Sequence, residues 1–181
     1  MVWITSRKGI GLGFRTLIKH RGPQIRETPF GLEADPMYKN ILAAVDGTAH
    51  GAAVLDAVAS LAKLNGATVH VIHIRPLQVL GGSFAPSAVV SPEEEADGQR
   101  VVDDALARLR EDGVTAEGEV DDGLRAELAD ILVQRAQALG SDLIAVGPGH
   151  YSGISALLHS SVSRGVARTA GASVLLVHSE V

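Results

Sequence analysis

From Tyr38 onward the chain alternates two patterns. Short, continuous apolar runs give way to stretches whose apolar residues recur every three or four positions. Asn40-Ile-Leu-Ala-Ala-Val-Asp46 is a buried strand by this reading, ended by Asp46-Gly47. Ala49–Leu64 places Val54, Val58 and Leu61 on one helical face, and Asn65-Gly66 stops that helix. Ala67–Ile74 is a β-branched second strand that Arg75-Pro76 should end. Residues 77–92 read as a loop. Ser91-Pro92 with Glu94 predicts a capped helix start, and Val102, Ala105, Leu106 and Leu109 supply that helix's apolar face.

Val114–Val120 is a weaker strand, with Asp121-Asp122-Gly123 as a turn of slight calcium-binding character. Leu124, Leu128, Ile131, Leu132 and Leu139 form the next helical stripe, closed by Gly140. Asp142–Val146 is a fourth strand running into Gly147-Pro148-Gly149. A helix over Ser161–Thr169 and a strand over Ala172–Val177 complete the pattern. Such alternation predicts right-handed crossovers and a parallel sheet with helices on both faces, an α/β fold. Ligands in such sheets bind at the carboxyl ends of strands, where strand order reverses. The candidate loops are therefore Asp46-Gly47-Thr48 and Gly147–Ser161.

Residues 38–177 resemble a universal stress protein domain. The likeness rests on Ile41-Leu-Ala-Ala-Val-Asp46-Gly47-Thr48, Val71-Ile-His73-Ile74, Asp142-Leu-Ile-Ala-Val-Gly147, Ser161-Val-Ser-Arg-Gly-Val-Ala-Arg168 and Val174-Leu-Leu-Val177. The resemblance implies a Rossmann-like, five-stranded parallel sheet of order 3-2-1-4-5. It also implies a homodimer paired through the last strand, Val174, Leu175, Leu176 and Val177. Domain boundaries follow: an arm over 1–36 and the family domain over 37–181.

Nucleotide-binding members of that family carry a Gly, two residues, a Gly, nine residues, then Gly-Ser or Gly-Thr. The glycines let backbone N–H groups approach phosphates, and the following helix start adds donors. Here Gly147 fills the first position, His150 the second, and Ser160-Ser161 the last pair. The resemblance thus assigns Asp46, Ile74, Gly147, His150, Ser160, Ser161 and Val162 to an adenine-nucleotide (ATP-type) site. Asp46 also reads as a cap on the helix after it. Pro148 also removes a donor from the loop, and the Ser160-Ser161 pair, with the bulk of His150 at the second Gly position, is similar to the universal stress protein A class, which lacks the nucleotide motif.

The resulting expectation is a non-catalytic stress or regulatory protein acting through dimerisation and protein contacts, with weak or absent ATP binding. The alternatives are an adenine-nucleotide binder in which His150, Ser160 and Ser161 replace the lost donors, and an accessory subunit docked to a membrane complex by its arm.

Composition narrows the chemistry further. The 181 residues contain no Cys, which excludes disulfides, thiolate metal sites and thiol nucleophiles and agrees with a cytoplasmic setting. No apolar run approaches the ~20 residues of a membrane span. Of sixteen bases and twenty-one acids, residues 1–36 hold six bases and three acids, leaving ten bases and eighteen acids for the rest. An acidic body repels phosphate backbones and excludes general nucleic-acid binding.

The basic arm is a separate object. Between Lys8 and Lys19, Ile10, Phe14, Leu17 and Ile18 share one helical face, and Lys8, Arg15 and Lys19 the other. Residues 1–26 thereby suit an anionic membrane surface or a protein groove. Met37, directly before the domain, offers an alternative start, which would make 1–36 a mere tail.

The spacing of His50, His73, His150 and His159 matches no zinc signature, and His70 and His73 fall on opposite faces of their strand, so no metal is expected. Ser160, His150 and Asp46 are the only trio with hydrolase chemistry, and no nucleophile elbow accompanies them. Glu93-Glu94-Glu95 reads as a helix first turn matched to the helix dipole.

Overall fold

The computed structural model describes residues 25–28, 31–81, 88–147 and 161–178. The chain divides between Asp35 and Pro36. In the first unit, β1 (Ile25–Thr28) and β2 (Gly31–Ala34) form an antiparallel pair. The amphipathic stretch Lys8–Lys19 lies outside the described residues.

In the second unit, the elements follow in the order β3 (Asn40–Val45), α1 (Ala49–Asn65), β4 (Thr68–Leu80), β5 (Ala88–Val90), α2 (Glu95–Glu111) and β6 (Ala116–Leu124). Then come α3 (Leu128–Ala138), β7 (Leu143–Val146), α4 (Ser161–Thr169) and β8 (Ser173–Leu176). The parallel strands run β6-β4-β3-β7-β8, which is the order 3-2-1-4-5. A sixth strand, β5, adds antiparallel to the far end of β4, with Gln78 opposite Val90 and Leu80 opposite Ala88.

Residues on β3 alternate between two cores. Ile41, Ala43 and Val45 face the layer of α1 and α2, packed with Val54, Val58, Val102 and Leu109. Leu42 faces the layer of α3 and α4, packed with Ile72, Leu132, Ile144 and Val166. Ile41, Leu42 and Ala43 are fully buried, as a central strand covered on both faces requires.

Four sequence expectations are corrected. First, β4 does not end at Arg75-Pro76. It continues to Leu80, because β6 pairs with it as far as Leu77 and β5 takes over from Gln78. β3 stops opposite His73, so beyond that point, among the described residues, β4 is paired by β6 on one side and open on the other, and such a stretch tolerates a residue without an N–H. Residues 77–80 and 88–90 of the expected loop are therefore strand.

Second, Asp121-Asp122-Gly123 is not a turn but part of β6, where Asp122 forms two 2.8 Å hydrogen bonds with Arg75. Leu124 closes that strand instead of opening α3. Third, α2 starts at Glu95 with Glu94 as its cap residue, and the Ser91 hydroxyl accepts from the Glu93 N–H one turn earlier. Fourth, the cap of α1 is Thr48 and not Asp46.

Candidate functional site

The carboxyl ends of β3, β4 and β7 meet where the strand order reverses. Gly47, in the left-handed region at φ 70°, turns the chain out of β3. Oδ1 of Asp46 then accepts from the Thr48 N–H at 3.2 Å and from the Thr48 hydroxyl at 2.6 Å. Thr48 Oγ1 in turn accepts from the His50 N–H at 3.2 Å and starts α1. Asp46 thus holds the cap in place and does not itself cap the helix. Gly51 makes this approach workable, since a Cβ there would lie 2.8 Å from Asp46 Oδ1.

Gly147 follows β7 directly. Among the described residues, a Cβ on it would meet His50 Cβ and Val54 Cγ2 at the ordinary contact distance of 3.6 Å and the His50 carbonyl oxygen at 3.8 Å. The exits of β3 and β7 are therefore adjacent, as the fold class predicts, and packing among the described residues does not require a glycine at 147. The Ser163 hydroxyl, from the first turn of α4, donates to the Gly147 carbonyl at 3.0 Å and ties that helix to the strand exit.

Between these elements lies a pocket of about 370 Å³. Ala44, Ile72, Ile74, Leu132, Val146 and Val162 give it an apolar slot, while Asp46, His73, Glu93, Arg125 and Ser163 add polar groups at the walls. Its size falls within the roughly 300–1,000 Å³ of small-molecule sites, and its mix of apolar lining and few polar groups is theirs too.

Of the residues expected from the sequence, Asp46, Ile74, Gly147 and Val162 line this pocket together. His150 and Ser160 lie outside the described residues, as does the side chain of Ser161, whose backbone opens α4.

The sequence reading did not find Ser163, Arg125 or Glu93 as lining residues. Glu93 is the most informative of these. His73, only 4% exposed, points its Nδ1 at the Val45 carbonyl at 2.9 Å and its Nε2 at Glu93 Oε1 at 2.7 Å. A carbonyl only accepts, so the contact to Val45 calls for the proton on Nδ1, while Nε2 and the carboxylate oxygen face each other at hydrogen-bond distance. Glu93 is thereby fixed in the pocket wall rather than serving as a helix-dipole charge.

A signal for this was available. A histidine at the inner end of a buried strand needs partners for both nitrogens, and the next acid along the chain after β4 is Glu93. Beside it, Gly98 brings α2 down onto the layer, where a Cβ would lie 2.9 Å from Arg75 Cδ and 3.3 Å from His73 Cδ2. His70 lies on the opposite strand face, 3.8 Å from Glu117. Among the described residues no group of three or more His, Asp and Glu side chains is placed to hold a metal ion. No helix among them is long and apolar enough to cross a membrane.

The universal stress protein family model matches residues 37–178. The chain is similar to universal stress protein YxiE of Bacillus subtilis (strain 168), at 30% identity over 150 residues, covering 78% of this chain and 99% of that one. It is also similar to universal stress protein A homolog 1 of Coxiella burnetii (strain RSA 493 / Nine Mile phase I), at 31% identity over 126 residues, covering 68% and 85%. Among solved structures, the universal stress protein from Archaeoglobus fulgidus in complex with dAMP superposes with a TM-score of 0.58 at 25% identity, over 78% of this chain and 98% of that one.

Proposed function

We propose, on the premise that the chain belongs to the universal stress protein family, that it is a non-catalytic stress-response or regulatory protein whose pocket takes an adenine mononucleotide. The observation that carries this reading is the apolar slot at the β3, β4 and β7 tips, opening beside an unsubstituted Gly147. A planar base suits a slot walled by Ala44, Ile72, Ile74 and Val146. Bare backbone at Gly147 and the start of α4 suit an anionic group. The dAMP bound by the Archaeoglobus relative is a ligand of this class.

The substitutions at His150 and Ser160 weigh against a long phosphate chain, so ATP is expected to bind more weakly than AMP. Two features favour binding over turnover. The Ser163 hydroxyl donates to the Gly147 carbonyl, and both nitrogens of His73 are engaged.

Output from such a site runs through contacts with other molecules. The exposed Leu176 on β8, a strand paired with β7 alone among the described residues, supports a homodimer formed through Val174, Leu175, Leu176 and Val177. A cytoplasmic location fits this reading.

The test is Gly147→Ala. The described surroundings leave room for the methyl group and Gly147 has no positive φ, so the melting temperature of the unliganded protein should hold within a few degrees. Millimolar AMP should raise the melting temperature of the wild type by mass action and leave the variant's unchanged. Equal stabilisation of both proteins, or of neither, would overturn the reading.

A further inference from the structure

We infer that Glu93 is a ligand-contacting residue, aimed by His73, whose second carboxylate oxygen accepts a hydrogen bond from a donor on the bound nucleotide. This rests on the nucleotide reading above and adds to it the chemistry of one wall. Glu93 lines the pocket and is partly exposed, while its partner His73 is buried. His73 is itself anchored to the Val45 carbonyl, one residue before Asp46, so the imidazole cannot turn without breaking a hydrogen bond.

That anchoring commits Oε1 to Nε2. Among the described residues no donor is bonded to Oε2. The backbone on both sides of this side chain is also held. The Glu93 N–H donates to Ser91 Oγ at 3.2 Å, and the Glu93 carbonyl accepts from Arg75 Nη1 at 3.4 Å. Arg75 is clamped in turn by Asp122 from β6.

A carboxylate fixed at three points, with one oxygen left to the pocket, is an acceptor prepared before the ligand arrives. A nucleotide offers two kinds of donor for it, the exocyclic amine of the base and the hydroxyls of the ribose.

Glu93→Gln tests this with little change of shape. The amide keeps the length of the side chain and, whichever of its ends turns to Nε2, replaces the charged acceptor facing the pocket with a neutral group. Isothermal titration of the full chain with AMP, IMP, 2′-deoxy-AMP and 3′-deoxy-AMP reads the result. The wild type should prefer AMP by roughly tenfold or more over the analogue that lacks the contacting donor. Glu93→Gln should lose roughly tenfold or more in AMP affinity and lose that preference too. A lost preference against IMP identifies the amine, and one against a deoxy analogue identifies the hydroxyl. Glu93→Asp, which keeps the charge but withdraws it, should fall between the two.

Wild-type affinity for AMP retained within twofold by Glu93→Gln, or reduced with every preference intact, would overturn the assignment while the nucleotide reading stands. Failure of the wild type to bind any of the four would overturn both.

Discussion

Replacing His73 by Ala removes the group on which the pocket wall turns. The imidazole is 4% exposed and makes two hydrogen bonds, at 2.9 Å to the Val45 carbonyl and at 2.7 Å to Glu93. A neutral bond of the first kind contributes about 0.5–1.5 kcal/mol, and one to a charged partner about 1.5–3 kcal/mol. The side chain of Glu93 is 24% exposed, so water recovers part of the second loss. The expected cost is about 3 kcal/mol in urea denaturation, or roughly 6–12 °C in melting temperature for a chain of this size. Because the effect is shared between two residues, a double-mutant cycle of His73→Ala with Glu93→Ala should give a coupling of about 1 kcal/mol or more. A destabilisation under about 0.5 kcal/mol, or additivity of the two substitutions, would refute the argument that the pair fixes this wall.

Two further outcomes follow from packing and from the sheet edge. At Gly118 a Cβ would lie 2.7 Å from Val102 Cγ1 and 3.2 Å from the Val71 carbonyl oxygen, so Gly118→Ala should cost about 1–3 kcal/mol. Combined with Val102→Ala it should cost less than the sum of the two single changes by chemical denaturation, and strict additivity would contradict the stated clash. Leu176, 50% exposed on β8, should tolerate Asp without loss of the fold by circular dichroism, while sedimentation equilibrium shows a dimer becoming a monomer. A wild-type monomer would remove that interface.

The strand order and the two-faced core were legible because burial on both faces of a parallel sheet writes continuous apolar runs, such as Ile41–Val45. What the runs did not reveal was pairing decided at a distance. Arg75-Pro76 carries a stop signal, yet β6 supplies a partner on one side and Asp122 supplies a carboxylate for Arg75, so the strand continues. Asp121-Asp122-Gly123 likewise has turn composition, but its cross-strand register with Ile74–Pro76 overrides that preference.

At the site, Asp46, Ile74, Gly147 and Val162 were identified through the family resemblance, because they lie within or next to its quoted segments. Glu93 and Ser163 were not. Glu93 is separated from its partner His73 by the β4–β5 excursion, and three consecutive glutamates give no sign of which one turns inward. Ser163 works through a bond to backbone, which leaves no trace in residue type.

The nucleotide proposed above would occupy the crevice over the β3, β4 and β7 tips. Titrating ¹⁵N-labelled protein with AMP and following amide resonances tests it most directly. Saturable, one-to-one shifts are expected at Asp46, His73, Ile74, Gly147 and Ser163. Shifts absent at millimolar AMP, or gathered instead at Ala88–Val90 and β8, would contradict it.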